Sequence, residues 1–99
     1  MSYTISIHYK AEAEYDEAYN WYRHEQVGLE EIFFEAISKK LQQILIGPEL
    51  YSVKNNSCRE AVVNGFPYVI VYRIIRKTQI INVIAIHHTR RKPKKKYNR

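Results

Sequence analysis

Two long apolar runs separated by four polar residues dominate the second half of this sequence and limit the folds open to it. The runs cover residues 68–75 and 80–86, and both are rich in Val, Ile and Tyr, which favour a pleated and well-covered surface. The segment between them contains neither Gly nor Asn, so we expect a β-hairpin whose loop is a few residues long. The second strand leads directly into residues 87–91, which places titratable and cationic groups where a rigid strand ends.

The periodicity of apolar residues ahead of this hairpin predicts one strand and two helices. Residues 2–9 alternate between apolar and polar side chains, which is typical of a strand with one buried face. Residues 11–25 and 29–45 repeat apolar side chains at three- and four-residue spacing, which is typical of amphipathic helices. The predicted buried faces are Tyr3, Ile5, Ile7 and Tyr9 on the strand, Ala11, Tyr15, Ala18, Tyr19 and Tyr22 on the first helix, and Leu29, Ile32, Phe33, Ala36, Ile37, Leu41, Ile44 and Leu45 on the second.

Glycine and proline mark the ends of these elements. Gly28 separates the two helices, and the short link between them predicts a helical hairpin. Gly47 and Pro48 end the second helix, because glycine can adopt a left-handed cap and proline cannot continue a helix. Residues 58–63 predict a further strand, and the dipeptide Asn64-Gly65 predicts a tight hairpin turn. The order β-α-α-β-β-β predicts a two-layer α+β fold, with the helical hairpin on one face of an antiparallel-rich sheet.

The positive charge of the chain is concentrated in its last ten residues. The net charge is +6, and residues 90–99 contain seven basic and no acidic side chains. The other 89 residues carry nine basic and ten acidic side chains, a net of −1. We therefore expect one domain over residues 1–93 and a basic tail over residues 94–99. Such a tail binds phosphate or an acidic protein surface, or it is a solvated, disordered end of the chain.

Several classes of protein are excluded by composition and motif. A single cysteine, Cys58, rules out an internal disulfide framework and indicates a reducing, cytoplasmic environment. No apolar run reaches the roughly 18 residues of a membrane span, and we expect no membrane partner and no signal peptide. The four histidines lack the spaced partners of a metal site, and the three glycines stand apart at turns. We therefore expect neither a metal nor a cofactor.

The residues that remain for chemistry are cations and histidines on and after the sheet. Arginine binds phosphate through a planar fork of donors, and histidine can transfer protons near neutral pH. Such a set could support cleavage of RNA by its own 2′-hydroxyl, which would make the protein an endoribonuclease. Under this hypothesis the residues expected to act together are Arg59, His87, His88 and Arg90. The alternative to a catalytic role is that each arginine on a strand simply lies at the solvent-exposed surface.

Several segments, in this order, resemble the RelE/ParE superfamily of type II toxins, also called plasmid-stabilisation proteins. The resemblance covers residue 3 to about residue 93 and implies a growth-inhibiting toxin held harmless by a cognate antitoxin, which wraps an extended or helical segment around it. The matching segments are Trp21-Tyr22 at the end of an acidic helix, Gly28-Leu29, Gly47-Pro48, the lone Arg59, residues 66–72 (FPYVIVY) and residues 85–93 (AIHHTRRKP).

Two branches of this superfamily differ in their target. The RelE branch cleaves messages on the ribosome and has an arginine early in the long strand, where this chain has Val69. The ParE branch poisons DNA gyrase without known hydrolytic chemistry. The histidine, arginine and proline after the last strand, here His88, Arg91 and Pro93, look closer to ParE. In either case we expect the target, DNA gyrase or ribosome and mRNA, to be bound by Arg73, Arg91, Lys92, Lys94 and Lys95.

Two further readings remain open at this point. The chain could be a non-catalytic basic binding module, or a decayed toxin that keeps only the fold. Pairing of unprotected edge strands could also give a homodimer when the antitoxin is absent.

Overall fold

The two apolar runs form the centre of a four-stranded sheet. In the computed structural model, which describes residues 2–91 and 97–99, the elements are β1 (Thr4–Ile7), α1 (Tyr9–Glu25), α2 (Leu29–Ile46), a 3-10 turn (Pro48–Leu50), β2 (Arg59–Val62), β3 (Tyr68–Ile75) and β4 (Ile80–His88). The strands lie in the order β1-β4-β3-β2. β1 runs parallel to β4, and the other neighbours are antiparallel. The predicted two-layer α+β fold and its element order are confirmed.

The core between the helices and the sheet is built around Phe33 of α2. This side chain is fully buried, and four aromatic rings surround it because α1 and the start of β3 both turn their apolar faces towards α2. The ring centroids lie 5.0–5.5 Å from that of Phe33 and belong to Tyr15, Tyr22, Phe66 and Tyr68. Such offset and edge-to-face pairs add to the free energy of apolar burial. The predicted inner face of α1 is confirmed, with Ala11, Ala18 and Tyr22 buried.

The start of the chain departs from its prediction in two positions. The strand ends at Ile7, which is 44% exposed, and Tyr9 opens α1 with 72% of its surface exposed. The cause is His8, whose Nδ1 accepts a hydrogen bond from the Lys10 N–H at 3.1 Å and caps the helix. The apolar alternation in the sequence therefore extends two residues past the end of β1 and made the predicted strand too long. The predicted burial of Ile32 is also wrong, since its side chain is 58% exposed.

Two of the glycine-based predictions need correction. Gly47 does end α2, but its φ of −140° is not left-handed, and Pro48 instead opens the 3-10 turn. The Asn64-Gly65 hairpin joins β2 to β3 as predicted, but the connection spans residues 63–67 and is longer than a two-residue turn. Gly65 carries the positive φ of +83° that this turn requires. The hydrogen bond from the Val63 N–H to the Tyr68 oxygen, 3.0 Å, closes the connection.

The face of the sheet that the helices leave open is also apolar. Cys58, Val69, Val71, Ile84 and Ala85 are buried there, and Tyr97 packs against them. We call this side the second face of the sheet. The side that carries α1 and α2 is the helical face. Neither helix in the described part of the chain is long and apolar enough to cross a bilayer.

β4 is longer than its parallel partner β1, and side chains complete the edge that remains. β1 reaches Val83, and beyond it the Ile86 N–H donates to Oε1 of Glu14 at 3.0 Å. The Ile84 oxygen accepts a hydrogen bond from Arg99 at 3.1 Å. The shift in β3–β4 register at Val71 leaves Ile84 without a paired residue. Glu14 and Arg99 therefore take the place of a missing strand.

Removal of the Tyr72 hydroxyl should measurably destabilise the fold. Tyr72 is fully buried, and its hydroxyl donates to the Pro48 oxygen at 2.6 Å, which joins β3 to the end of α2. The Tyr72→Phe variant should lose about 1 to 2 kcal/mol of unfolding free energy in urea titrations, because the buried oxygen loses its donor. Tyr51→Phe is the matched control, since that hydroxyl bonds to no described residue. Equal losses for the two variants would contradict this role.

Candidate functional site

The sheet divides the predicted catalytic residues between its two faces. His87 lies opposite Val69, and His88 lies opposite Tyr68, in neighbouring pairs of the β3–β4 ladder. Val69 belongs to the second face and Tyr68 to the helical face. The two histidines therefore point in opposite directions, as adjacent residues on a strand must.

Arg59 lies on the helical face but far along the sheet from His88. It pairs with Tyr72, which is four residues, about 13 Å, beyond the partner of His88 on β3. Its guanidinium donates to the main-chain oxygens of Tyr51 at 2.6 Å and Glu49 at 3.2 Å. These bonds hold the segment that follows α2. The structure thus does not bring Arg59 together with either histidine.

Arg73 and His87 lie on the second face, where neighbouring main-chain oxygens surround them. The guanidinium of Arg73 donates to the oxygens of Asn56 at 3.2 Å, Tyr97 at 2.8 Å and Arg99 at 2.6 Å. His87 is 7% exposed, and its Nε2 lies 3.1 Å from the Arg91 oxygen. In this structure Arg73 therefore orders the end of the chain, and its role in target binding remains a prediction.

A pocket of about 440 Å³ lies between the C-terminal half of α1 and the end of β4. Its walls are aromatic, and cations stand beside them. The lining residues are Glu17, Ala18, Trp21, Tyr22, Tyr68, His88, Arg90 and Arg91. We call this the α1–β4 pocket.

The aromatic wall of the α1–β4 pocket includes the only tryptophan of the chain. Trp21 is 56% exposed and meets Tyr22 edge-on at 5.1 Å. On the other side, His88 meets Tyr68 edge-on at 5.1 Å. Burial raises the pKa of Tyr68, and the positive charge of Arg91 acts against that rise. The wall therefore offers aromatic surface that suits an apolar or planar group.

The cations at the mouth of the α1–β4 pocket differ in their state. Arg91 pairs with Glu17 at 3.0 Å, and both side chains are largely exposed. The guanidinium of Arg90 forms no hydrogen bond or ion pair with the described residues, while the main-chain N–H of Arg90 donates to Nδ1 of His88 at 3.1 Å. An exposed aromatic residue beside an unpaired arginine is typical of an energetically important contact for a protein partner. Sequence reasoning missed Trp21 in this role, although its position off the buried stripe of α1 was a usable signal.

Residues 97–99 lie over the second face of the sheet and reach its β4 edge, where α1 contributes Glu14. Arg99 forms a two-bond salt bridge with Glu14, at 2.7 and 2.8 Å. Tyr97 donates its hydroxyl to Glu60, and burial together with that bond raises the pKa of Tyr97 to about 12. Residues 97–99 thus make specific contacts and do not form a solvated end. Lys92, Lys94 and Lys95, which were predicted to bind the target, lie outside the described residues.

The raised pKa values of the partly buried tyrosines Tyr15 and Tyr97 predict a loss of stability in alkali. Burial and the neighbouring hydroxyl and carboxyl groups also raise the pKa of Tyr15 to about 12. The folded protein therefore keeps these protons to higher pH than the unfolded chain, whose tyrosines titrate near 10. Because solvent screens these partly exposed groups, the free energy of unfolding should fall by no more than roughly 1 kcal/mol between pH 8 and pH 11. Urea titrations of the wild type and of a Tyr15→Phe/Tyr97→Phe variant test this, since the variant should show a smaller fall.

Known proteins of two related kinds are similar to this chain. The model of the family described as ParE toxin of type II toxin-antitoxin system, parDE, matches residues 5–93. A structure of the chromosomal ParDE system from P. aeruginosa has a TM-score of 0.69 at 16% identity and covers 87% of this chain and 95% of its own. The isolated E. coli RelE toxin gives 0.66 at 20% identity, with 92% and 88% covered. At such identities the structures establish a common fold alone. No curated protein sequence matches this chain.

Proposed function

This chain belongs to the ParE toxin family of type II toxin–antitoxin systems, and we propose that it inhibits growth by binding DNA gyrase and not by cutting RNA. The observation that carries the proposal is the separation of Arg59, His87 and His88. The two histidines lie on opposite faces of the sheet, and Arg59 is bonded to main-chain oxygens about 13 Å along it. A general acid and a general base for one phosphate must both lie within hydrogen-bond reach of it.

Target binding is assigned in this proposal to the α1–β4 pocket. Trp21 offers a large exposed ring, and Arg90 offers donors that no described residue occupies. A carboxylate of a partner protein would gain a two-bond contact with Arg90 and apolar contact with Trp21. Loss of either side chain should therefore weaken inhibition of the target.

The partners follow from membership of the family. A ParE-family toxin implies a cognate antitoxin. We propose that both act in the cytoplasm, where gyrase is found, and that the antitoxin covers the toxin until it is degraded.

Induced expression in a bacterial host tests the proposed function. The wild type should arrest growth, with filamentous cells, altered plasmid supercoiling and intact messages. Trp21→Ala and Arg90→Ala should each arrest growth only at an expression level at least tenfold higher than the wild type requires. Val27→Ala is the matched control, because Val27 is 94% exposed on the helical hairpin but lies outside the α1–β4 pocket.

Other outcomes of that experiment would overturn the proposal. Cleaved messages with normal supercoiling would favour a RelE-type endoribonuclease, for which His88 and Arg90 at the same pocket would be the first residues to replace. Unimpaired growth at confirmed expression would contradict both gyrase inhibition and message cleavage in that host. It would leave a non-catalytic binding module or a decayed toxin.

A further inference from the structure

We propose that the second face of the sheet is a docking cleft selective for a Tyr-x-Arg segment. In this structure the chain fills the cleft with its own Tyr97-Asn98-Arg99. When that tripeptide leaves, the cleft binds a segment of the same pattern from a partner protein. The proposal concerns a different surface from the α1–β4 pocket. It does not depend on gyrase as the target. We call the site the second-face cleft. It consists of Asn56, Glu60 and Arg73 around the buried apolar patch of Cys58, Val69, Val71, Ile84 and Ala85, and of Glu14 of α1, which lies at the β4 edge of the sheet.

The third position of the segment is selected for arginine. The two terminal nitrogens of Arg99 meet the two carboxylate oxygens of Glu14 at 2.7 and 2.8 Å, and one of them also donates to the Ile84 oxygen at 3.1 Å. Only 11% of the Arg99 side chain and 22% of the Glu14 side chain are exposed. A lysine has one nitrogen and cannot form this planar two-bond contact.

The first position is selected for tyrosine. The ring of Tyr97 packs against the apolar patch, above the fully buried Cys58. Its hydroxyl reaches Glu60 at the border of that patch. A phenylalanine would keep the apolar contact and lose the hydrogen bond, and a small side chain would expose the patch to water.

The middle position is held through the main chain. Arg73 donates to the oxygens of Tyr97 and Arg99 at 2.8 and 2.6 Å, and Asn56 donates to the oxygen of Tyr97 at 3.3 Å. Asn98 itself is exposed and accepts a hydrogen bond from Asn56 at 3.2 Å. The main-chain bonds fix the direction of the segment, and the middle side chain contributes little to selectivity.

The second-face cleft is also held in shape by contacts that do not involve the tripeptide. Glu14 accepts the Ile86 N–H at 3.0 Å, and the Nε of Arg73 donates to the Asn56 oxygen at 3.2 Å. These bonds orient the Glu14 carboxylate and the Arg73 guanidinium before a segment binds. Binding therefore loses less side-chain entropy. A partner segment with acidic residues in place of Tyr and Arg would meet Glu60 and Glu14 and be repelled. The partner that fits is therefore a protein with an accessible Tyr-x-Arg segment.

The reactivity of Cys58 can report whether the cleft is filled, because Cys58 is the only cysteine and lies beneath Tyr97. In the full-length Tyr97→Ala/Arg99→Ala variant, Ellman's reagent should label Cys58 at least tenfold faster than in the wild type. The peptide acetyl-Lys-Tyr-Asn-Arg should restore protection in a saturable manner. The same peptide with Lys in place of Arg should protect Cys58 only at a concentration at least tenfold higher. Glu14→Gln in the variant background should weaken the effect of the first peptide, and Glu17→Gln should not.

Two results would overturn the proposal. One is a Cys58 that stays protected in the double variant while circular dichroism shows the native fold. The other is a reactive Cys58 that the peptide does not protect at millimolar concentration. If the double variant does not fold, the Arg99→Lys variant is used in its place. Its Cys58 should be labelled about threefold faster than that of the wild type. An unchanged labelling rate would contradict the proposal. Because growth inhibition is not measured, failure here leaves the proposed toxin function untouched.

Discussion

Replacing Phe33 with alanine should lower the free energy of unfolding by about 4 kcal/mol, the largest loss we expect from any single substitution. Phe33 has no exposed surface and lies within 5.0–5.5 Å, centroid to centroid, of four other aromatic rings. The substitution leaves a cavity that rings on three different elements cannot all close. A domain of this size has about 5 to 15 kcal/mol of stability in total, so much of it would be lost.

Phe34 provides the control for this prediction. It is the next residue of α2 and is 49% exposed, so Phe34→Ala should cost about 1 kcal/mol or less. Urea titrations of both variants, followed by tryptophan fluorescence and circular dichroism, measure the difference. Equal losses for the two variants would contradict the position given to Phe33 at the centre of the core.

Replacing Glu14 with alanine should lower the free energy of unfolding by about 3 kcal/mol. Glu14 accepts the edge N–H of Ile86 and forms the two-bond salt bridge with Arg99, and both side chains of that bridge are mostly buried. Its loss leaves a buried guanidinium without its partner and a main-chain N–H without its acceptor, which costs more than the pair contributes when intact.

Glu17 is the matched control for Glu14, since it lies one turn further along α1 and also pairs with an arginine. The side chains of Glu17 and Arg91 are 66% and 62% exposed, so Glu17→Ala should change the stability by no more than about 0.5 kcal/mol. Urea titrations in low and in 0.5 M salt should show a loss for Glu14→Ala that persists in salt. A loss as small as that of Glu17→Ala would contradict the structural role of the Glu14–Arg99 pair.

The fold could be predicted well from the sequence because its signals are local. The loop between β3 and β4 occupies residues 76–79 as expected, since two β-branched runs on either side of four polar residues permit little else. The errors arose where a side chain decided a boundary. His8 capped α1 and turned Tyr9 out of the predicted strand, and apolar periodicity contains no information on such a cap.

The candidate site was less predictable because it depends on contacts between distant parts of the chain. His87 and His88 are adjacent on β4 and therefore lie on opposite faces of the sheet, so they do not act together as the nuclease hypothesis required. Arg59 and Arg73 offered the same guanidinium in the sequence, yet one holds the segment after α2 and the other holds residues 97–99. Partners 26 residues apart, such as Arg73 and Arg99, leave no periodic signal. The family resemblance, which the ParE toxin model confirms over residues 5–93, identified the kind of protein but not these contacts.

The most direct test of the central claim is the supercoiling activity of purified DNA gyrase in the presence of the purified chain. We expect inhibition of supercoiling or accumulation of cleaved DNA at stoichiometric toxin, at least tenfold weaker for Trp21→Ala and unchanged for Val27→Ala. Ribosomes programmed with message should show no cleavage at the same concentrations. Full gyrase activity together with cleaved message would contradict the account and assign the chain to the ribonuclease branch of the superfamily.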